Sequence, residues 1–141
     1  MISYCGLYCR DCPNYKGEIA DLARDLRKKL REAKLDRVSK GLSNYFKEFQ
    51  EYDTCYGVLG AMIRLRCKRG CEDGGGNPNC KIRRCSLKKD ITGCWECDTF
   101  ETCEKFGMLR PTHGEACLKN LKRIKKKGQD RFLEGKRDWY V

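Results

Sequence analysis

Cysteine is the residue that most constrains what this chain can fold into. Twelve of its 141 residues are cysteines, whereas histidine, the other soft metal ligand, occurs only once, at His113. The N-terminal residues have neither the basic region nor the apolar stretch of a secretion signal, so we expect an intracellular, cytoplasmic protein. Cytosolic thiols are kept reduced, which disfavours a disulfide framework. The cysteine content therefore predicts metal binding, with a secreted disulfide scaffold as the open alternative.

Length and charge narrow the class of protein further. A chain of 141 residues corresponds to about one domain, and its apolar run at residues 58–63 is far shorter than the roughly 20 residues that span a bilayer. We therefore expect no membrane segment. The 31 lysines and arginines exceed the 20 acidic residues, which gives a formal charge of +11. This excess predicts a basic surface at 64–89 and 119–137 that contacts protein or RNA, although the partner itself is unknown.

Apolar residues with helical spacing predict the core. Residues 16–34 read as an amphipathic helix, 38–49 as a second helix that forms a hairpin with it, and 55–63 as a third. The expected core positions of the first two are Ile19, Leu22, Ala23, Leu26, Leu30, Ala33, Val38, Leu42, Tyr45, Phe46 and Phe49. A C-terminal helix is expected at about 114–127, with Cys117, Leu118, Leu121 and Ile124 on one face and Gly128 as its stop signal.

The segment 67–103 differs from the helical part, because it contains seven cysteines and little apolar material. Such a segment cannot bury enough surface to order itself, so we expect metal to hold it together. The predicted fold is mainly α: a small helical core with irregular, metal-stabilised cysteine-rich arms and little or no sheet. We expect one domain over 1–141, with its helical part at about 16–66, its cysteine-rich part at about 67–103 and its basic helix at about 114–127.

Most of the cysteines occur in pairs or triplets with two to five residues between neighbours. Thiolates at short spacings can turn back onto one ion, whose ligand set is then completed from elsewhere in the chain. The sequence thus predicts two or three four-cysteine sites. The candidate ligands are Cys5, Cys9, Cys12, Cys67, Cys71, Cys80, Cys85, Cys94, Cys97 and Cys103, with Cys55 and Cys117 as less regular candidates. Our working grouping joins the first three to one distant cysteine, and the last three of the ten to Cys80 or Cys85.

The metal is zinc in our primary interpretation, with [4Fe-4S] clusters as the alternative. Charged residues between the cysteines, as in Cys94-Trp-Glu-Cys97, favour zinc, whereas the scarcity of histidine and the Cys12-Pro13 dipeptide favour iron–sulfur. The triplet Cys5-x3-Cys9-x2-Cys12 also has the spacing of radical S-adenosylmethionine enzymes, but the chain is too short for their barrel. No set of nucleophile, base and orienting group predicts an enzyme. We expect a metal-binding interaction module, or alternatively an electron-transfer or cluster-carrying protein of an anaerobe.

Several of these motifs together resemble a known family. The start Cys5-Gly-Leu-Tyr-Cys-Arg-Asp-Cys-Pro13, the pair Cys80-Lys-Ile-Arg-Arg-Cys85, Cys94-Trp-Glu-Cys97 followed by Cys103, and His113-Gly114 are similar to domain of unknown function 3795. The resemblance implies a small, uncharacterised protein of anaerobic bacteria and archaea that binds metal through its cysteines. It does not imply a reaction.

Overall fold

The structure is a computed structural model and describes residues 1–140. Within these residues the chain forms eight α-helices, several 3-10 turns and no strand, which confirms the prediction of a mainly α fold. The helices are α1 (Pro13–Lys16), α2 (Glu18–Glu32), α3 (Leu35–Leu42), α4 (Tyr52–Arg64), α5 (Lys81–Lys88), α6 (Arg110–His113), α7 (Ala116–Lys127) and α8 (Gln129–Glu134). None of the helices in this range has both the length and the apolar character of a membrane span.

The chain divides into two compact units. The helical unit is Lys16–Cys67, and the cysteine-rich unit combines Met1–Tyr15 with the described residues from Lys68 onward. The N-terminal segment with its three cysteines thus belongs to the same unit as the cysteine-rich part of the sequence. The expectation of a single domain over the whole chain stays a prediction.

In the helical unit, α2 packs mainly against α4, and it does so through small residues. Ala20 and Ala23 are the residues of α2 that are buried, and Gly60 is the buried residue of α4. A methyl group at Gly60 would lie 2.7 Å from the guanidinium of Arg27, so the glycine leaves room for this arginine. The predicted core face was therefore wrong in part, since Leu22 is 70% exposed. The buried positions of the two helices are thus small residues, whereas Ile19 and Leu26 of the predicted core face are exposed as Leu22 is.

The second predicted helix ends earlier than its apolar spacing indicated. Helix α3 stops at Leu42, where the Ser43 hydroxyl donates a hydrogen bond to a carbonyl of the last turn, at 2.6 Å. Such bonds compete with continuation of the helix. Phe46 is in an extended conformation, and both Phe46 and Tyr45 are exposed. The expectation that these aromatic residues belong to a helical hairpin core is thus wrong.

Helix α7 is the central element of the cysteine-rich unit. It runs over Ala116–Lys127, and its buried face contains Cys117, Leu121 and Ile124, as the sequence predicted. Gly128 follows it with a φ of +81°, a conformation that favours glycine. Asn120, also fully buried, donates to the carbonyl of Asp138 at 2.7 Å and accepts from its N–H at 3.0 Å, which ties down the C-terminal tail.

Helix α5 lies within the segment that was expected to be irregular. It begins after Cys80, whose sulfur accepts a hydrogen bond from the backbone N–H of Arg83 at 3.5 Å, and it buries Ile82, Arg83 and Ser86. Its buried face thus contains only one aliphatic side chain, so apolar periodicity did not reveal it. This helix carries Cys85 and places it in a cavity that other cysteines of the unit also line.

Candidate metal centre

Four cysteines from separate parts of the sequence line one cavity in the cysteine-rich unit. Cys85 comes from α5, Cys94 and Cys97 from one 3-10 turn, and Cys103 from the start of another such turn. The cavity has a volume of about 90 Å³. We call it the thiol cavity. It contains Cys94, Cys97 and Cys103, which our working grouping placed together. It also contains Cys85, one of the two candidates for the fourth position.

Local packing explains how Cys94 and Cys97 reach the same cavity. The N–H of Cys97 donates to the carbonyl of Cys94 at 3.1 Å, so the chain turns tightly between the two thiols. Trp95 points into the core from this turn, and its ring lies so close to Gly93 that a Cβ there would be 2.1 Å from it. Glycine at this position therefore allows the turn and the tryptophan to pack together.

The walls of the thiol cavity combine apolar and cationic side chains. Buried Ile82, Phe100 and Phe106 form its apolar part. On the exposed side, Lys89 donates a hydrogen bond from Nζ to the sulfur of Cys97 at 3.2 Å. The residue is four positions after Cys85, so the i,i+4 spacing could have identified it as a neighbour of the site. A cation beside the thiols favours their thiolate form.

The thiols of the cavity have different electrostatic surroundings. Burial, together with the neighbouring thiolates of Cys5, Cys103 and Cys97, raises the pKa of Cys94 to about 11, although a hydrogen bond with Ser86 acts in the opposite direction. The pKa of Cys97 is instead lowered, first by hydrogen bonding with Thr99 and then by Lys89. A bound cation would compensate the repulsion among the thiolates and so lower their pKa values.

The other candidate ligands are distributed as follows. In the cysteine-rich unit, hydrogen bonding with Cys117 and with Ser3, whose hydroxyl oxygen lies 3.1 Å from the sulfur, lowers the pKa of Cys5 to about 7. Cys9 and Cys12 lie at the two ends of a short turn, with the N–H of Cys12 donating to the carbonyl of Cys9 at 3.0 Å. Their grouping with Cys5 stays a prediction. In the helical unit, Cys55 is exposed on α4 and Cys67 is the last residue.

None of the twelve cysteines forms a disulfide in the structure. Within residues 1–140, no three side chains of histidine, cysteine, aspartate or glutamate are arranged as a group that could hold a metal ion. The thiol cavity nevertheless fits a thiophilic metal in its donor chemistry, because it offers four sulfur ligands and no competing carboxylate. The four sulfurs would have to converge for binding, and each cysteine can move its sulfur by rotation about a single side-chain bond.

The single histidine has a structural position. His113 is the last residue of α6, and its Nδ1 lies 2.8 Å from the carbonyl oxygen of Trp139. The two rings also meet edge to face, with centroids 5.2 Å apart. These contacts connect α6 to the C-terminal tail.

A basic groove lies beside the thiol cavity and shares Cys85, Lys89 and Lys105 with it. Its volume is about 590 Å³. The groove is lined by Lys81, Arg84, Cys85, Lys88, Lys89 and Lys105. No ion pair in the described part of the chain involves these five cations, whereas Lys122 and Arg137 in the C-terminal segment pair with Glu101 and Asp11. The groove therefore concentrates positive charge that the protein itself does not neutralise.

Comparison with known proteins agrees with the resemblance seen in the motifs. No curated protein matches the chain, and no solved structure matches it. A family model described as "Protein of unknown function (DUF3795)" matches residues 1–108, which include every cysteine of the thiol cavity. Because the match covers more than half of the sequence, the chain belongs to the DUF3795 family.

Proposed function

We propose that this protein binds a structural zinc ion through Cys85, Cys94, Cys97 and Cys103 and uses the adjoining basic groove to bind a partner. The observation that carries the proposal is the presence of these four thiols in one cavity. They come from segments that are separate in the sequence, so a shared ion would tie those segments together. Such an ion contributes directly to folding, as it does in other structural zinc sites.

Charge supports a metal–thiolate centre in this cavity. Four thiolates and one Zn²⁺ carry a net charge of −2, and Lys89 and Lys105 line both the thiol cavity and the basic groove. Their positive charge would offset that of the zinc–thiolate centre. The hydrogen bond from Lys89 to Cys97 is a contact of this kind, since groups that bond to the metal ligands orient them and adjust their basicity.

An iron–sulfur protein that transfers electrons or carries a cluster is the second candidate function. The observation that favours it is the apolar part of the cavity wall, formed by Ile82, Phe100 and Phe106. Burial and dielectric are among the properties by which a protein adjusts the potential of a cluster. The two candidates differ in a simple observable, because zinc thiolate sites are colourless and iron–sulfur sites are brown.

The basic groove supports a role in interaction. Three of its cations, Lys81, Arg84 and Lys88, do not line the thiol cavity and have no acidic partner within the described chain, so they are available to the phosphates of RNA or the carboxylates of a protein. We place the protein in a reducing compartment, the cytoplasm, because its cysteines stay reduced there and so remain able to bind metal.

The test is the metal and acid-labile sulfide content of the full chain, purified without oxygen and without added metal. We expect zinc and no sulfide in the wild-type protein. The variant Cys103→Ser should lose one equivalent of zinc, whereas Cys55→Ser, a control at an exposed cysteine of α4, should retain all of it. Iron with matching sulfide would support the second candidate. If Cys103→Ser retained the full metal content, the thiol cavity would not be the site.

A further inference from the structure

The groove cations that lie outside the thiol cavity form a stripe along one face of helix α5. These are Lys81, Arg84 and Lys88, all exposed, and we call them the cation stripe. Because an α-helix turns by about 100° per residue, the three positions fall within an arc of roughly 60°, opposite the buried face of the helix. Positions three and four apart have Cβ atoms about 5–6 Å from each other. The stripe therefore presents positive charge at regular, short intervals.

The remaining two cations of the groove face the thiol cavity as well. Lys89 donates a hydrogen bond from Nζ to the sulfur of Cys97 at 3.2 Å, and Lys105 lines the same cavity. In the proposed function these two lysines offset the negative charge of the metal–thiolate centre. Arg84 of the stripe donates to the side-chain oxygen of Asn79 at 2.9 Å, but this amide is neutral and leaves the charge uncompensated. The stripe is thus the part of the groove whose charge remains for a partner.

The lining of the groove distinguishes a nucleic acid from a protein as that partner. Protein interfaces are depleted in lysine, and their centres are built on aromatic and other large side chains that anchor the partner. The described residues that line the groove are four lysines, one arginine and Cys85, with no aromatic or aliphatic side chain among them. Apolar side chains of a protein partner would find no anchor there. A strand of phosphates, whose charges also recur at short and regular intervals, matches the stripe directly.

The same lining predicts which part of the nucleic acid is contacted. Proteins that read single strands stack the bases on aromatic side chains and bond to the base edges. The groove offers cations and one thiol, so it is suited to phosphates and not to bases. Its volume of about 590 Å³ is that of a pocket for a small ligand, which accommodates one strand and not a duplex.

We propose that the cation stripe binds the phosphate backbone of single-stranded RNA without preference for its base sequence. RNA is the nucleic acid that is commonly single-stranded in the cytoplasm. The inference rests on the proposed function in that it names the partner of the same basic groove. An acidic segment of a protein is the alternative partner, and the experiment includes it.

The experiment measures binding of fluorescein-labelled oligouridylate to the anaerobically purified full chain by fluorescence anisotropy, over a series of KCl concentrations. The main variant combines Lys81→Gln, Arg84→Gln and Lys88→Gln, because glutamine removes the charge and is a good helix former. The matched control removes the same charge from three exposed lysines of α7, through Lys119→Gln, Lys126→Gln and Lys127→Gln. Circular dichroism and metal content check that each variant is folded and loaded like the wild type.

The salt dependence of the wild type gives the number of contacts without any variant. For a single strand the logarithm of the affinity falls with that of the salt concentration at a slope of about −0.7 per phosphate contact. Three contacts give a slope of about −2, which is about a 20-fold loss of affinity between 50 and 200 mM salt. The stripe variant should bind at least about tenfold more weakly and with a flatter slope, whereas the control should stay within about twofold of the wild type. Oligocytidylate should bind as oligouridylate does, because phosphate contacts carry no sequence information.

A flat salt profile of the wild type overturns the inference, and so does equal weakening by the stripe variant and the control. A wild-type chain that binds polyglutamate but not oligouridylate overturns it in favour of an acidic protein partner. Metal analysis of the same samples separates this inference from the proposed function. A chain that retains zinc but binds no RNA would refute the inference alone, and a chain that binds RNA through the stripe but retains no metal would refute the metal site alone.

Discussion

Replacement of Arg83 by methionine tests how the cysteine-rich unit is held together. The residue is only 8% exposed, and the two closest of its hydrogen bonds to carbonyls of the loop between Cys71 and Cys80 are at 2.6 Å to Gly75 and 3.0 Å to Asn77. A hydrogen bond from a charged group contributes about 1.5–3 kcal/mol. Because the loop is largely exposed and its carbonyls would regain water, we take the lower value for each, so that the two together contribute about 3 kcal/mol.

The assay is urea unfolding of Arg83→Met and wild-type protein at equal metal loading, monitored by circular dichroism. The free energy of unfolding should fall by about 3 kcal/mol, and Tm by at least about 10 °C for a unit of this size. Methionine retains most of the apolar stem of the arginine, so lost packing contributes little. The neighbouring substitution Arg84→Met is a matched control, because Arg84 is exposed and, among residues 1–140, its side chain bonds to the Asn79 side chain alone, at 2.9 Å. It should change stability by no more than about 0.5 kcal/mol.

A fall of less than about 1 kcal/mol for Arg83→Met would refute the argument, since the loop carbonyls would then not depend on the guanidinium. Equal effects of Arg83→Met and Arg84→Met would refute it as well. They would indicate that general charge, and not the buried position, determines the stability of this region.

Two further substitutions test the electrostatics of each unit. Lys89→Met should raise the pKa of Cys97, because the hydrogen bond from the lysine is lost. Alkylation of Cys97 by iodoacetamide at pH 7 in chelator-treated protein should therefore be slower, as measured by peptide mapping. An unchanged rate of alkylation would contradict this prediction. In the helical unit, hydrogen bonding with Arg66 holds the pKa of Asp21 below its ordinary value. The stability that this ion pair contributes is therefore fully present above about pH 4, and it is lost as the pH falls through the lowered pKa. Asp21→Asn should therefore flatten this part of the stability–pH profile, and a profile identical to that of the wild type would count against the ion pair.

The sequence predicted those parts of the fold in which apolar periodicity and punctuation agree. Helix α7 is such a case, because its large apolar residues are the ones that become buried and Gly128 ends it. In α2 the same reasoning predicted the helix but only part of its buried face. Its buried residues are Ala20 and Ala23, and the periodicity of large apolar residues cannot show that Ile19, Leu22 and Leu26 remain exposed.

The thiol cavity was predictable in part. Spacing predicted that Cys94, Cys97 and Cys103 belong together, because few residues separate them, but it left Cys80 and Cys85 as equal candidates for the fourth position. The choice depends on α5, which places Cys85 in the cavity and Cys80 at its own N-terminus. That helix has a basic sequence and a polar buried face, so its formation depends on tertiary contacts that a single sequence does not reveal.

X-ray absorption at the zinc edge, measured on the full chain after anaerobic purification, tests the central claim most directly. The account predicts zinc surrounded by four sulfur atoms at about 2.3 Å, with no nitrogen or oxygen ligand. If the variant Cys103→Ser lost one sulfur-coordinated zinc ion per chain, that ion would be assigned to the thiol cavity. A shell of oxygen or nitrogen atoms, or a protein that retains no metal at all, would contradict the account.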